Sequence, residues 1–171
     1  MNLKKKKVNL TEIITLLLDP RMIVEEQYFP SVLHENTEIQ AEYGADNRET
    51  YEYEYRDWII SFRPDQVEND KIIEVKVRRP YSKVSDLRAW AYLQGLLQAY
   101  FLGKMKFVIV IISYNPSDGS KKIELEQEFA MSADEARNYL DISIGRLETI
   151  RDVLKPVFGK DYFDILFENK K

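Results

Sequence analysis

The chain has 171 residues, 44% of them hydrophobic and 32% charged, with a formal net charge of −4. That length and apolar fraction suit one domain spanning residues 1–171 around a single core. The lack of cysteine excludes disulfides, thiolate zinc, iron–sulfur clusters and a cysteine nucleophile, and a single histidine excludes a multi-histidine metal site within one chain. Any metal must then be held mainly by carboxylates, which suits Mg²⁺ or Mn²⁺. No stretch approaches the roughly 20 apolar residues of a membrane span. The basic start, Met1 to Lys7, is not followed by an apolar signal core. These features predict a soluble cytoplasmic protein with no membrane partner.

In chain order, Asn9 or Thr11 caps a first helix whose apolar side is Ile13, Ile14, Leu16, Leu17 and Leu18, and Asp19-Pro20 stops it. A second helix runs from Pro30 or Ser31 to Tyr43, with Gly44 as its terminator. From Thr50 to Arg63 the chain reads as one strand. Tyr51, Tyr53 and Tyr55 line one face, Glu52, Glu54 and Arg56 the other, and Trp58 to Phe62 enters the core. Lys71 to Arg78 is the next strand, ended by Pro80. A helix follows from Val84 to Leu102, opened by Ser82 or Ser85 and closed by Gly103. Phe107 to Tyr114 is continuously apolar, hence a central strand, and Asn115 to Ser120 is a turn. Ile123 to Ala130 alternates like an edge strand. Ser132-Ala133-Asp134-Glu135 is a capping box for a long helix that Pro156 breaks, before a short apolar element at Tyr162 to Phe167. The order α-α-β-β-α-β-β-α predicts an α/β fold: a three-layer sandwich with a central mixed sheet flanked by helices.

One strand breaks the pattern. Within Ile72-Ile73-Glu74-Val75-Lys76-Val77, the two charged residues are two apart and so share a face. Burying a carboxylate and an ammonium side by side costs several kcal/mol unless something binds there. As edge-strand charges they would need no ligand, but their apolar neighbours argue for an interior strand. Asp65 follows Pro64 at the end of the preceding strand, where a turn residue is equally at home. Two carboxylates at the ends of adjacent strands can hold one hard cation. A lysine beside them can orient a water and offset charge on a phosphoryl group, which is what phosphodiester hydrolysis requires. Lys71, Lys76, Arg78, Arg79, Lys83 and Arg88 crowd around this strand. Such a local patch steers a polyanion even on an acidic protein, although a solvated charged face has the same composition.

Pro64-Asp65 followed by Glu74-Val75-Lys76 resembles the signature of the PD-(D/E)xK nuclease superfamily, whose core order α-β-β-β-α-β is compatible with the segment from Ser31 to Ala130. The resemblance implies a restriction-endonuclease-like core and a Mg²⁺- or Mn²⁺-dependent deoxyribonuclease. Two further features resemble the RecB-like branch, including its CRISPR-associated members. His34 lies on the helix ahead of the motif strands, where that branch places a metal ligand. Gln94 lies on the helix after the lysine, where the branch carries Q-x-x-x-Y. The tyrosine of that pattern is Gln98 here; in another register Arg88 and Tyr92 have the spacing, with arginine in place of glutamine. The branch's cysteine cluster is absent.

By this resemblance Asp65, Glu74, His34 and the Val75 carbonyl hold the metal, and Lys76 positions the water. Gln94, with Arg78, Arg79, Lys83 and Arg88, contacts the backbone of single- or double-stranded DNA, in exo- or endonuclease action. Trp90, Tyr92, Tyr100 and Phe101 are expected in the core or at a surface between two copies of the chain, and a homodimer is compatible with the class. The rival readings are a non-catalytic DNA-binding or assembly module on a nuclease-like fold, and a scaffold domain in which the motif is accidental.

Overall fold

The computed structural model describes residues 5–18, 30–80 and 83–158. Strand β1 (Lys6–Asn9) leads directly into helix α1 (Leu10–Leu18), and helix α2 (Pro30–Glu42) comes next. Four strands follow: β2 (Tyr51–Tyr55), β3 (Trp58–Phe62), β4 (Gln66–Val67) and β5 (Lys71–Arg78). Helix α3 (Val84–Leu102), strands β6 (Lys106–Asn115) and β7 (Ser120–Ala130), and helix α4 (Ala133–Phe158) complete the order.

The strands form two hydrogen-bonded sheets, ordered β1-β3-β2 and β4-β5-β6-β7, rather than one. In the second sheet β5 and β6 are parallel, joined by α3, with Glu74 beside Ile109 and Lys76 beside Ile111. β6 lies between β5 and β7, and its residues from Phe107 to Ile112 are all buried, as its unbroken apolar run demands. β7 is an edge, which suits its charged alternation. Period-two alternation divides β5 between two cores. Val75 and Val77 pack with Val108, Val110, Ile112 and Ile39 of α2. Ile72 packs on the opposite side with residues of α1, α3 and α4. Helices therefore cover both faces.

Several expectations are corrected. The single strand over 50–63 is a hairpin: Tyr55 pairs with Trp58 around a two-residue turn at Arg56-Asp57. Arg56 adopts a left-handed φ of 52°, and no glycine, asparagine or proline marks the turn. β1 went unpredicted because its lysines look like a tail. It pairs parallel with β3, and Lys5 and Lys7 form ion pairs with Glu54 and Glu52. The start of α3 is capped at Lys83 without a side-chain bond, so Ser85 is not its cap, and Ser82 lies outside the described residues. Helix α4 continues past Pro156 to Phe158. Asp19-Pro20 and the Tyr162–Phe167 element also lie outside the described residues.

Other expectations hold. Asn9 accepts a bond from the Thr11 N–H at 2.9 Å, and Glu12 accepts one from the Asn9 N–H at 3.0 Å, a reciprocal cap on α1. Gly103 closes α3 at φ 66°, a left-handed conformation that glycine adopts without steric cost. At Gly95 a Cβ would stand 2.5 Å from the Phe107 ring, so only glycine lets α3 approach β6 this closely. The tyrosines of β2, whose place the sequence left open, are half-buried and pack against the core. Tyr53 stacks on Phe62 and on Phe101 of α3, at 6.0 and 5.5 Å between ring centroids.

Candidate active site

Arg63-Pro64-Asp65 carries the chain from one sheet into the other. With Gln66 paired to Ile73, antiparallel geometry sets Asp65 opposite Glu74. The Asp65 N–H donates to Glu74 Oε1 at 3.3 Å, and the Val75 N–H donates to Asp65 Oδ2 at 2.8 Å. β4 is only two residues long, so among the described residues no strand pairs with β5 beside Val75 on that edge. Side chains take the strand's place: Asp65 satisfies the Val75 N–H, and the Gln40 carboxamide of α2 donates to the Val75 carbonyl at 2.5 Å.

Glu74 is only 2% exposed. Burial, and then the adjacent Asp65 charge, push its carboxyl well above the usual carboxylate range, while Lys76 pulls the other way. A positive charge placed between the two acids would stabilise their ionised forms and reverse that shift. With oxygen donors alone, the residues present fit a hard divalent cation. Among the described residues no third acid or histidine joins Asp65 and Glu74. His34 lies on α2, and its side chain falls outside the described residues. Lys76 is half-buried and, two residues on, shares the face of Glu74.

The remaining predicted residues divide. Gln94 and Gln98, one turn apart on α3, both have a buried Oε1 with no hydrogen-bond partner among the described residues. Arg88 and Tyr92, the other register, are used elsewhere: Arg88 donates to Gln127 of β7 at 2.7 Å and Tyr92 to Glu135 of α4 at 2.7 Å. Arg78 pairs with Glu124 at 2.6 Å. Arg79 is buried, donates to Asn36 of α2 at 3.0 Å and lies over the Tyr114 ring at 5.1 Å. It does not present a charge to solvent, and its expected contact with DNA gives way to a structural role. Lys83 is exposed at the start of α3.

A cavity of about 420 Å³ opens beside Asp65, lined by Thr37 and Gln40 of α2, by Asp46 and Arg48 of the loop after it, and by Arg63. Gln40, Arg48 and Arg63 were missed from sequence. Nothing in local spacing marks them, because three separate segments bring them together. A larger cavity of about 860 Å³ lies among α1, α3, α4 and β7, with Leu17, Leu93, Phe129 and Ile142 in its wall, and neither Asp65 nor Glu74 lines it.

Mixed sheets between helices, with two opposed acids where the chain changes sheet, define the α/β fold of this chain. Solved structures share it. LHK-Exo, an alkaline exonuclease from Laribacter hongkongensis, matches at a TM-score of 0.54 and 13% identity over 88% of this chain and 91% of that one. LHK-Exo in complex with dAMP matches at 0.51 and 14%, over 88% and 92%. The crystal structure of SSO0001 matches at 0.54 and 12%, over 87% and 79%. No family model and no curated protein matches the chain.

Proposed function

We propose that this protein is a Mg²⁺- or Mn²⁺-dependent deoxyribonuclease. The observation that carries the reading is the placement of Asp65 against Glu74 beside Lys76, with Glu74 buried and its carboxyl pushed above the usual carboxylate range. Asp65 and Glu74 are the protein's carboxylate ligands. The Val75 carbonyl joins them once Gln40 releases it, with His34 as the candidate fourth group. The cation, when bound, supplies Lewis-acid charge to a phosphoryl oxygen and lowers the pKa of a water. Lys76 orients that water and offsets charge developing on the phosphoryl group. A bond forms from the water oxygen to phosphorus, the P–O ester bond breaks, and the water's proton passes to solvent or the leaving oxygen.

Lys83 and Gln94 serve as backbone contacts in this reading. Arg78 and Arg88 join only by exchanging Glu124 and Gln127 for phosphate. The RecB-like branch is supported by the sequence position of His34 ahead of the motif strands and by Gln94 on α3. A nuclease fold shared with an enzyme whose structure holds dAMP favours DNA as the polymer.

The test is cleavage of single- and double-stranded DNA with Mn²⁺ by wild type, Glu74→Gln and Lys76→Ala. Each substitution is expected to slow cleavage about 100-fold or more. Wild-type rates in both would overturn the mechanism. A second reading, a DNA-binding module without catalysis, draws on Gln40 occupying the Val75 carbonyl. It predicts binding with no cation-stimulated cleavage by the wild type.

A further inference from the structure

The cavity beside Asp65 has a rim that the nuclease signature does not contain. Arg48 and Arg63 line it, both exposed, and among the described residues neither side chain takes part in an ion pair. Three other basic side chains near the strand are tied: Arg78 to Glu124, Lys71 to Glu68, Lys106 to Asp70 and Glu128. The loop that carries Arg48 is fixed in place. Asn47 donates from its backbone to the Asp65 carbonyl at 3.1 Å and from its side chain to the Pro64 carbonyl at 2.8 Å. The same carboxamide donates to the Glu49 carbonyl at 3.1 Å, so the arginine between Asn47 and Glu49 sits on a braced turn. Asn47 thus brings Arg48 to the segment that ends in Arg63 and Asp65.

The charges on this rim are balanced. Arg48 and Arg63 face Asp46 and Asp65 across one cavity, which by itself has little net attraction for an anion. A divalent cation held by Asp65 and Glu74 would leave the rim positive, and arginine then offers a planar fork to phosphate oxygens. We propose that Arg48 and Arg63 form a phosphate clamp for a nucleic-acid strand entering this cavity, and that the clamp engages only when the cation is bound. The inference rests on the nuclease reading and deepens it, because it puts the strand on the α2 side of Asp65. Both arginines contact the backbone, so they read no base sequence.

The test measures anisotropy of a fluorescent single-stranded oligonucleotide, and of its duplex, with Ca²⁺ in place of Mg²⁺, across a salt series. Wild type is expected to bind more tightly in Ca²⁺ than in EDTA. Arg48→Gln and Arg63→Gln should each weaken binding about 3- to 10-fold in Ca²⁺ and flatten the slope of log K against log salt by about 0.7–0.9. In EDTA the double variant should match wild type. Arg137→Gln makes the same charge change at an arginine that pairs with Asp134 on α4, and it should leave the slope alone. The clamp is overturned if the two arginine variants keep the wild-type slope while remaining folded by circular dichroism, or if Arg137→Gln flattens it equally. Cleavage in Mn²⁺ by wild type but not by Glu74→Gln, alongside an unchanged slope, would sink the clamp and leave the nuclease reading standing. Absence of wild-type cleavage together with cation-independent binding would sink both.

Discussion

The carboxamide of Gln40 donates to the Val75 carbonyl across 2.5 Å, and so occupies the backbone oxygen of the residue whose N–H holds Asp65. Helix α2 is thereby bonded to the open edge of β5. If the carbonyl is to face a cation, Gln40 must let go. Gln40→Ala is expected to tighten Mn²⁺ binding about 3- to 10-fold by calorimetry. It should also lower the stability of the cation-free protein by about 1 kcal/mol, the net value of one lost hydrogen bond. Weaker Mn²⁺ binding in this variant would make Gln40 a ligand instead of a competitor.

Glu74 gives stability a pH dependence of definite sign. Its folded carboxyl is pushed above the ordinary value of 4.5 by burial and by Asp65, so in that window the native state holds a proton the unfolded state has lost. Stability therefore falls as pH rises from about 4.5, and it levels off once the folded carboxyl itself ionises. Glu74→Gln removes the titration. Denaturant unfolding of the cation-free protein should show wild type losing stability between acid and neutral pH by more than the variant does. Equal slopes would mean that Glu74 ionises freely. Adding Mn²⁺ should stabilise wild type and not the variant.

Gly95 tests the close approach of α3 to β6. In Gly95→Ala the new methyl meets the Phe107 ring at 2.5 Å, and destabilisation of about 1–3 kcal/mol is expected. Phe107→Leu in the same chain should recover part of the loss, which a chemical-denaturation series would report.

The tyrosines of β2 pack against the core. Tyr53→Ala removes stacking on Phe62 and Phe101 and is expected to cost about 1–3 kcal/mol of stability. Oligonucleotide affinity, measured well below the melting temperature, should not change. A selective loss of affinity at intact stability would place Tyr53 on the binding surface instead.

Much was legible from local signals. The apolar run of β6, the Asn9 and Ser132 caps and the left-handed Gly103 each follow from a few neighbouring residues, and each appears where the chain predicts it. The Arg56-Asp57 turn was not legible, because the alternation of β2 runs into the apolar β3 without a turn residue between them. Nor was β1, whose lysines need the glutamates of β2 to make sense.

By itself the sequence determined the chemical inventory of this protein: no thiol, one imidazole, and a Pro-Asp and Glu-x-Lys pair on strand-forming segments. Side-chain periodicity and the residue types alone fix that much, since both depend on near neighbours. Only the tertiary structure decided what the pair meets. It set the Asp65 N–H on Glu74 and the Val75 N–H on Asp65, brought Gln40 to the Val75 carbonyl and gathered Arg48 and Arg63 at one cavity. It also withdrew Arg79 into the interior, where Asn36 and Tyr114 hold it. Those partners come from segments far apart in the chain, and no local pattern encodes which of them a two-residue strand will leave exposed to each other.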